Sequence, residues 1–263
     1  MIENFKFNKK FGQNFLSDKN LLDAIVSDAK ITNNDDVLEI GAGGGALTER
    51  IALKAKKLIS YEIDKTLTEH LKQIENQHSN LQIIIADALK TPISEIEKSF
   101  ENEYKLVANL PYYITTPLIF KFLEETDRCK SLTVMVQKEV AERFCAKEKT
   151  KDYGVASIMI NFYANVAITR QVSRNMFFPR PNVDSAVVHI TKKSSTYDVD
   201  KNKFKDVVST AFSMRRKTLI NNLSTKFSKT KIEEALAKLN LKSTVRAEEL
   251  RIEDFVALTN VLF

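Results

Sequence analysis

The chain has 263 residues, 43% of them hydrophobic, and a formal net charge of +6. That length holds one large domain, or one large domain with a small appendage, and no apolar run approaches the ~20 residues needed to cross a bilayer. Two cysteines, Cys129 and Cys145, argue against a disulfide framework, and three scattered histidines, His70, His78 and His189, argue against a Cys/His metal centre; no metal is expected.

The first residues, MIENFKFNKK, carry charge with no apolar stretch behind them. A secretory signal is therefore not expected, and the expected location is the cytoplasm, or an organelle matrix reached by some other signal. In chain order, DDVLEI (35–40) reads as a buried strand and residues 41–45 as a glycine-rich turn. The pattern then predicts a helix over 46–55, a strand over 57–63 and a helix over 66–77. Strands are predicted over 81–86 and 104–108, a helix over 115–125, and a strand over 132–136. Apolar strands alternating with helices predict an α/β fold with a Rossmann-like parallel sheet. Residues 161–172 and 186–191 read as two further strands, expected as a final antiparallel pair. KSSTYDV (193–199) is polar and reads as a linker. Helices are predicted over 202–212, 217–223, 231–239 and 252–262, so a catalytic sheet domain over 1–194 and a small all-helical domain over 195–263 are expected.

Charge follows that division. From Lys201 onward 13 Lys and Arg face 7 Asp and Glu, whereas the first 200 residues hold 27 of each. An excess confined to the C-terminal quarter points to a polyanionic partner docking there. Arg215, Arg216 and Lys217 form the densest cluster, and Lys10, with Lys6 and Lys9, a second. Both suit phosphate contacts, which set register without reading sequence.

The glycines Gly41, Gly43 and Gly45 sit between the first strand and first helix, where glycine allows a sharp turn and close approach to a ligand. The spacing lacks the small residue of the dinucleotide fingerprint, yet both a dinucleotide and S-adenosylmethionine remain possible ligands. Glu62, about 20 residues on, ends the second strand and can accept both hydroxyls of a ribose. Asp87 follows the third strand and can accept from an adenine amine. Glu39 suits either a ligand's amino group or the N–H groups of the loop.

Asn109-Leu110-Pro111-Tyr112 follows the fourth strand. It matches the Asn/Asp/Ser-Pro-Pro-Tyr-like motif of amino-methyltransferases, with Leu before Pro. An adenine N6 lone pair is delocalised and a poor nucleophile. The Asn109 amide oxygen and the Leu110 carbonyl can accept its two N–H hydrogens and localise that pair. Pro111 restricts Leu110 to an extended conformation, and Tyr112 offers a face for an extruded base. Either Phe177 or Phe178 can cover the opposite face.

Taken together, KFGQNFL (10–16), VLEIGAGGGALT (37–48), NLPYYI (109–114) and FFPRPNVDSAV (177–187) resemble the ribosomal RNA adenine dimethyltransferase family, in the family's order and over nearly the whole chain. The resemblance implies S-adenosylmethionine as methyl donor, contacted by Asn14 and Leu16 together with Gly41, Glu62, Asp87 and Asn109. It favours Phe177 as the second aromatic wall. It implies action on the small ribosomal subunit; a monomer is expected only as the default state. Leu110 and the segment AFSMRRKTL (211–219) favour the KsgA-like branch, which dimethylates two adjacent adenosines near the 3′ end of 16S rRNA. The alternatives are the Erm-type branch acting on 23S rRNA, or a ribosome assembly factor whose catalysis is secondary. Tyr113 and Met214 depart from the common bacterial pattern and leave fine substrate detail open.

Overall fold

The computed structural model describes residues 15, 16, 18–194 and 197–263. They form two compact units. The first comprises the described residues up to Ala141 and Val166–Lys192. The second comprises Glu142–Asn165 and the described residues from Lys193 onward.

In the first unit, β1 (Phe15–Leu16) is followed by α1 (Lys19–Asp28), capped by the Asp18 carboxylate, which accepts from Leu21 N. Then come β2 (Asp36–Ile40), α2 (Ala46–Ala52), β3 (Lys57–Glu62), α3 (Thr68–Glu75) and β4 (Leu81–Ile85). The short α4 (Ile93–Ile96), β5 (Tyr104–Asn109), α5 (Tyr112–Glu124) and β6 (Cys129–Gln137) follow. After α6 (Lys138–Cys145) and α7 (Val155–Tyr163) come β7 (Ala164–Val172), β8 (Phe177–Phe178) and β9 (Ser185–Lys192).

Seven strands make one sheet in the order β4-β3-β2-β5-β6-β9-β7. Neighbours from β4 to β6 are parallel and β6 pairs with β9 antiparallel. Every residue of β2 is buried, as a central parallel strand covered on both faces requires. Period-2 alternation sends Val37, Leu58, Val107, Met135 and Val187 into one core, with Leu22 and Ile25 of α1, Leu47 and Ile51 of α2, and Leu71 and Ile74 of α3. The chain turns outward from β2 to β3 and β4, then returns to lay β5 on the other side of β2. The carboxyl ends of β2 and β5 thus flank a topological switch point, where open α/β sheets bind ligands. β1 and β8 form a separate two-stranded antiparallel ladder that pairs Leu16 with Phe177.

The predicted strand at 161–172 begins later. Val155–Tyr163 is the helix α7, and β7 starts at Ala164. The apolar run VASIMINFYANVAI carries no clear period, so side-chain pattern alone does not separate a buried helix from a buried strand.

The second unit adds α8 (Lys201–Ala211), α9 (Leu219–Leu223), α10 (Lys229–Lys238) and α11 (Ile252–Leu262) to α7. Asp200, Thr218 and Ser228 cap the first three with side-chain oxygens. Phe162 stacks on Phe204 with ring centroids 4.4 Å apart, and Phe212 meets Phe255 at 5.9 Å.

Candidate active site

The turn 41–45 leaves β2 on glycines with left-handed backbones: φ is +87° at Gly41, +54° at Gly43 and +81° at Gly45. L side chains rarely adopt this region. The N–H groups of Gly41 and Ala42 both donate to the Tyr61 carbonyl, at 2.8 and 3.3 Å, which ties the turn to β3. Gly41 also makes room for the neighbouring strand end. A Cβ there would lie 2.8 Å from Leu110 Cδ2 and 3.4 Å from the Asn109 carbonyl oxygen. β2 and β5 pair Ile40 with Ala108, so the residues that follow, Gly41 and Asn109, emerge side by side at the switch point.

Glu62 ends β3 and is 4% exposed. One carboxylate oxygen accepts from Gly43 N at 2.7 Å and the other from Asp64 N at 2.9 Å. Burial raises its pKa, and the backbone N–H groups of Asp64, Gly43 and Ile63 oppose that shift. On the next strand, Ala86 N donates to the Glu62 carbonyl at 2.9 Å, so Asp87 lies one residue beyond that bond. Asp87 folds its own turn, accepting from Leu89 N at 3.0 Å, and has Lys90 at 3.6 Å from its second oxygen.

Glu39 is wholly buried beneath the loop. Its Oε2 accepts from Thr48 Oγ1 at 2.7 Å and from Ser60 Oγ at 2.6 Å, while Oε1 has no partner among the described residues. Burial pushes its pKa up to about 7; Glu62's charge adds to the rise, and the two hydroxyls oppose it. In this structure, therefore, Glu39 braces α2 against β3 instead of capping the loop N–H groups.

These donors and acceptors fit the nucleoside and amino-acid portions of S-adenosylmethionine. Strand-end acids suit hydroxyl and amine donors, and a turn without Cβ atoms admits close approach. A pyrophosphate fits less well, because Gly43 N–H is already engaged by Glu62 and two buried acids lie under the turn.

Asn109 closes β5 and is half-buried, and Leu110 is 7% exposed. Pro111 precedes α5, whose first residue is Tyr112. The Tyr112 hydroxyl lies 2.8 Å from Ser185 Oγ, and burial raises its pKa. Phe177 sits in the core at 6% exposure, paired with Leu16, itself buried at 6%, whereas Phe178 is 65% exposed. Asn14 and Lys10 lie outside the described residues.

In the second unit, Arg215, Arg216 and Lys217 are exposed on the turn between α8 and α9. Arg215 pairs with Glu248 at 3.2 Å. The buried Asn222 holds that turn: its Nδ2 donates to the carbonyls of Ala211, at 2.5 Å, and Met214, at 3.1 Å. Sequence reasoning passed over Asn222, Ser185 and the pair Thr48 and Ser60. Thr48 and Ser185 fall in segments that carry the family resemblance, whereas Ser60 and Asn222 do not.

The chain matches the family model described as ribosomal RNA adenine dimethylase over residues 4–263. It is 44% identical over 266 residues to the ribosomal RNA small subunit methyltransferase A of Clostridioides difficile, covering 98% of this chain and 92% of that one. The Bacillus licheniformis protein of the same name is 43% identical over 268 residues, with the same coverage. Among solved structures, a dimethyladenosine transferase from Plasmodium falciparum superposes with a TM-score of 0.80 at 29% identity, covering 93% of this chain and 95% of that one. The 23S rRNA methyltransferase ErmE superposes with a TM-score of 0.72 at 25% identity, covering 95% and 99%. The glycine turn, the strand-end acids and the Asn109–Tyr112 segment thus stand in a chain that belongs to the ribosomal RNA adenine dimethylase family.

Proposed function

We propose that the chain transfers methyl groups from S-adenosylmethionine to N6 of two adjacent adenosines near the 3′ end of 16S rRNA, giving N6,N6-dimethyladenosines as the small ribosomal subunit matures. The packing of Gly41 against Asn109 and Leu110 carries this reading, because it sets a donor turn and an amine-accepting segment in contact at one switch point. The relatives named for the small subunit stand at 43–44% identity and ErmE at 25%, which favours the small-subunit target over the 23S one.

Bound S-adenosylmethionine supplies a methyl group already activated on a sulfonium. Glu62 and Asp87 would hold its ribose and adenine, and Leu16 and Asn14 would lie along it. In the first transfer the Asn109 amide oxygen and the Leu110 carbonyl accept the two N6 hydrogens and localise the lone pair. In the second, one hydrogen remains to be accepted, and each transfer frees one N6 proton to solvent as the sulfonium becomes a thioether. Tyr112 provides the face on which the extruded adenine stacks, with Phe177 proposed opposite. The work lies in positioning and in electrostatics at one nitrogen. No metal is given a part, and the chain is taken to act as a monomer. Arg215, Arg216, Lys217 and Lys10 would contact RNA phosphates. No described helix is long and apolar enough to cross a membrane.

The test supplies labelled S-adenosylmethionine with immature small subunits, 23S RNA or duplex DNA, and maps the methylated adenosines. Label in two adjacent small-subunit adenosines is expected. Label confined to 23S RNA would move the chain to the Erm-type branch, and label confined to DNA would overturn the RNA reading. Asn109→Ala should lower kcat about 100- to 1,000-fold while leaving RNA affinity near that of the parent. A variant that still dimethylates at the parent rate would remove Asn109 from the scheme.

A further inference from the structure

The hydroxyl of Tyr112 is held by a residue outside the acceptor segment. Ser185 opens β9, pairs with Gln137 of β6 and is completely buried, with its Oγ 2.8 Å from the Tyr112 hydroxyl. Its backbone is fixed from two sides. The preceding residue, Asp184, accepts Lys138 N on its carbonyl at 3.0 Å and Arg174 N on its carboxylate at 3.0 Å. Tyr112, by contrast, begins a helix that has no side-chain N-cap, and it is only half-buried. Packing therefore grips one part of the phenol, and the bond to Ser185 grips its tip. A serine hydroxyl both donates and accepts, so it can hold a neutral phenol in either sense.

We propose that Ser185 is a positioning residue for methyl transfer: its bond to the Tyr112 hydroxyl sets the plane of the ring on which the target adenine lies. This rests on Tyr112 serving as that stacking face. RNA affinity is dominated by phosphate contacts, so a tilted ring should misplace N6 with little effect on binding. The loss should appear in kcat and leave KM for RNA unchanged.

Single-turnover and steady-state methylation of immature small subunits would be measured for the full chain and for Tyr112→Ala, Tyr112→Phe, Ser185→Ala and the double variant Tyr112→Phe/Ser185→Ala. Removing the bond from either side should lower kcat by about three- to tenfold, with KM unchanged. The double variant should be no worse than either single one, since both delete the same bond. Tyr112→Phe keeps the ring and the fold, so the bond is tested even where Ser185→Ala disturbs β9. If Tyr112→Ala is impaired but Tyr112→Phe retains the parent kcat, the bond does not position the ring and the proposal falls, while the stacking reading stands. Losses that multiply in the double variant would also overturn it. If Tyr112→Ala itself keeps the parent kcat, the stacking reading fails and takes this inference with it.

Discussion

Around Gly41–Glu62 the fold relies on backbone and buried acids, whereas around Asn109–Phe178 it relies on side chains, several of them facing solvent. The glycine turn is tied to β3 by three N–H donors, two to the Tyr61 carbonyl and one to Glu62. Glu39 and Glu62 are both almost entirely out of water. On the acceptor side, Tyr113 and Phe178 are 67% and 65% exposed, and the Tyr112 ring is secured through a bond between residues 73 apart in sequence. A small donor molecule suits a closed, preformed cradle. In the proposed function a base carried on a large RNA would come in from outside, so its site would have to present surface. The first half gains precision from rigid backbone, and the second gains access.

Within this comparison, the largest expected effect on rate lies where the halves touch. Gly41→Ala would force a side chain into a backbone with φ +87° and place its Cβ 2.8 Å from Leu110 Cδ2. The turn or Leu110 must shift, and a displacement of ~1 Å can cost about 100-fold in rate. We expect kcat/KM for methyl transfer to fall by about that factor. Gly154→Ala is the control: a Cβ there meets nothing within 4 Å, and its backbone is extended. Its transfer rate should stay within about twofold of the parent. Equal losses in the two variants would mean that the Gly41 contact carries no special weight.

The second expected effect separates two adjacent aromatics. Phe177 is a core residue at 6% exposure, so Phe177→Ala should cost about 3–5 kcal/mol of stability, read as a lower melting temperature. Phe178 is exposed, and Phe178→Ala should leave stability within about 0.5 kcal/mol of the parent. Phe177→Leu keeps most of the volume, so it should retain the fold and lose transfer if Phe177 walls the base. Transfer lost in Phe178→Ala alone would assign that wall to Phe178.

That pair also marks where sequence stops informing structure. The donor half was legible because its signals are local: glycines bounded by an apolar strand and helix, and acids at the ends of consecutive strands. Asn109–Tyr112 was legible as a contiguous motif. Which of Phe177 and Phe178 turns inward depends on a two-residue ladder with Phe15 and Leu16, some 160 residues away, and a one-residue slip would exchange them. Ser185 and Asn222 escaped notice for the same reason. A serine or asparagine looks like surface until its distant partner is known. α7 was obscured differently, by an apolar run whose lack of a clear period leaves helix and strand undistinguished.

The smallest expected effect concerns the donor half alone and is read as a pH dependence. Folding raises the pKa of Glu39 from 4.5 to about 7. Between those values the folded chain holds a proton that the unfolded chain has released. Its contribution to stability is fully present below about pH 4.5 and is lost as pH rises through about 7. Glu62, also raised by burial, acts in the same direction. Glu39→Gln keeps an oxygen to accept from Thr48 and Ser60 while removing the titration. The melting temperature of the variant relative to the parent should therefore climb between pH 5 and pH 7.5, then level off. The gain at the plateau should be on the order of 3 kcal/mol at most. Glu62 remains in both proteins, so its slope cancels in the comparison, apart from the repulsion it exerts on an ionised Glu39. A difference that stays flat across that range would mean that Glu39 is already ionised when buried. The unpartnered Oε1 argues against that, because a second charge beside Glu62 would then go uncompensated. The outcome decides whether the donor half's rigidity rests on a protonated carboxyl, whose two hydroxyl partners bridge α2 and β3, or on a charged one that only a cationic ligand would balance.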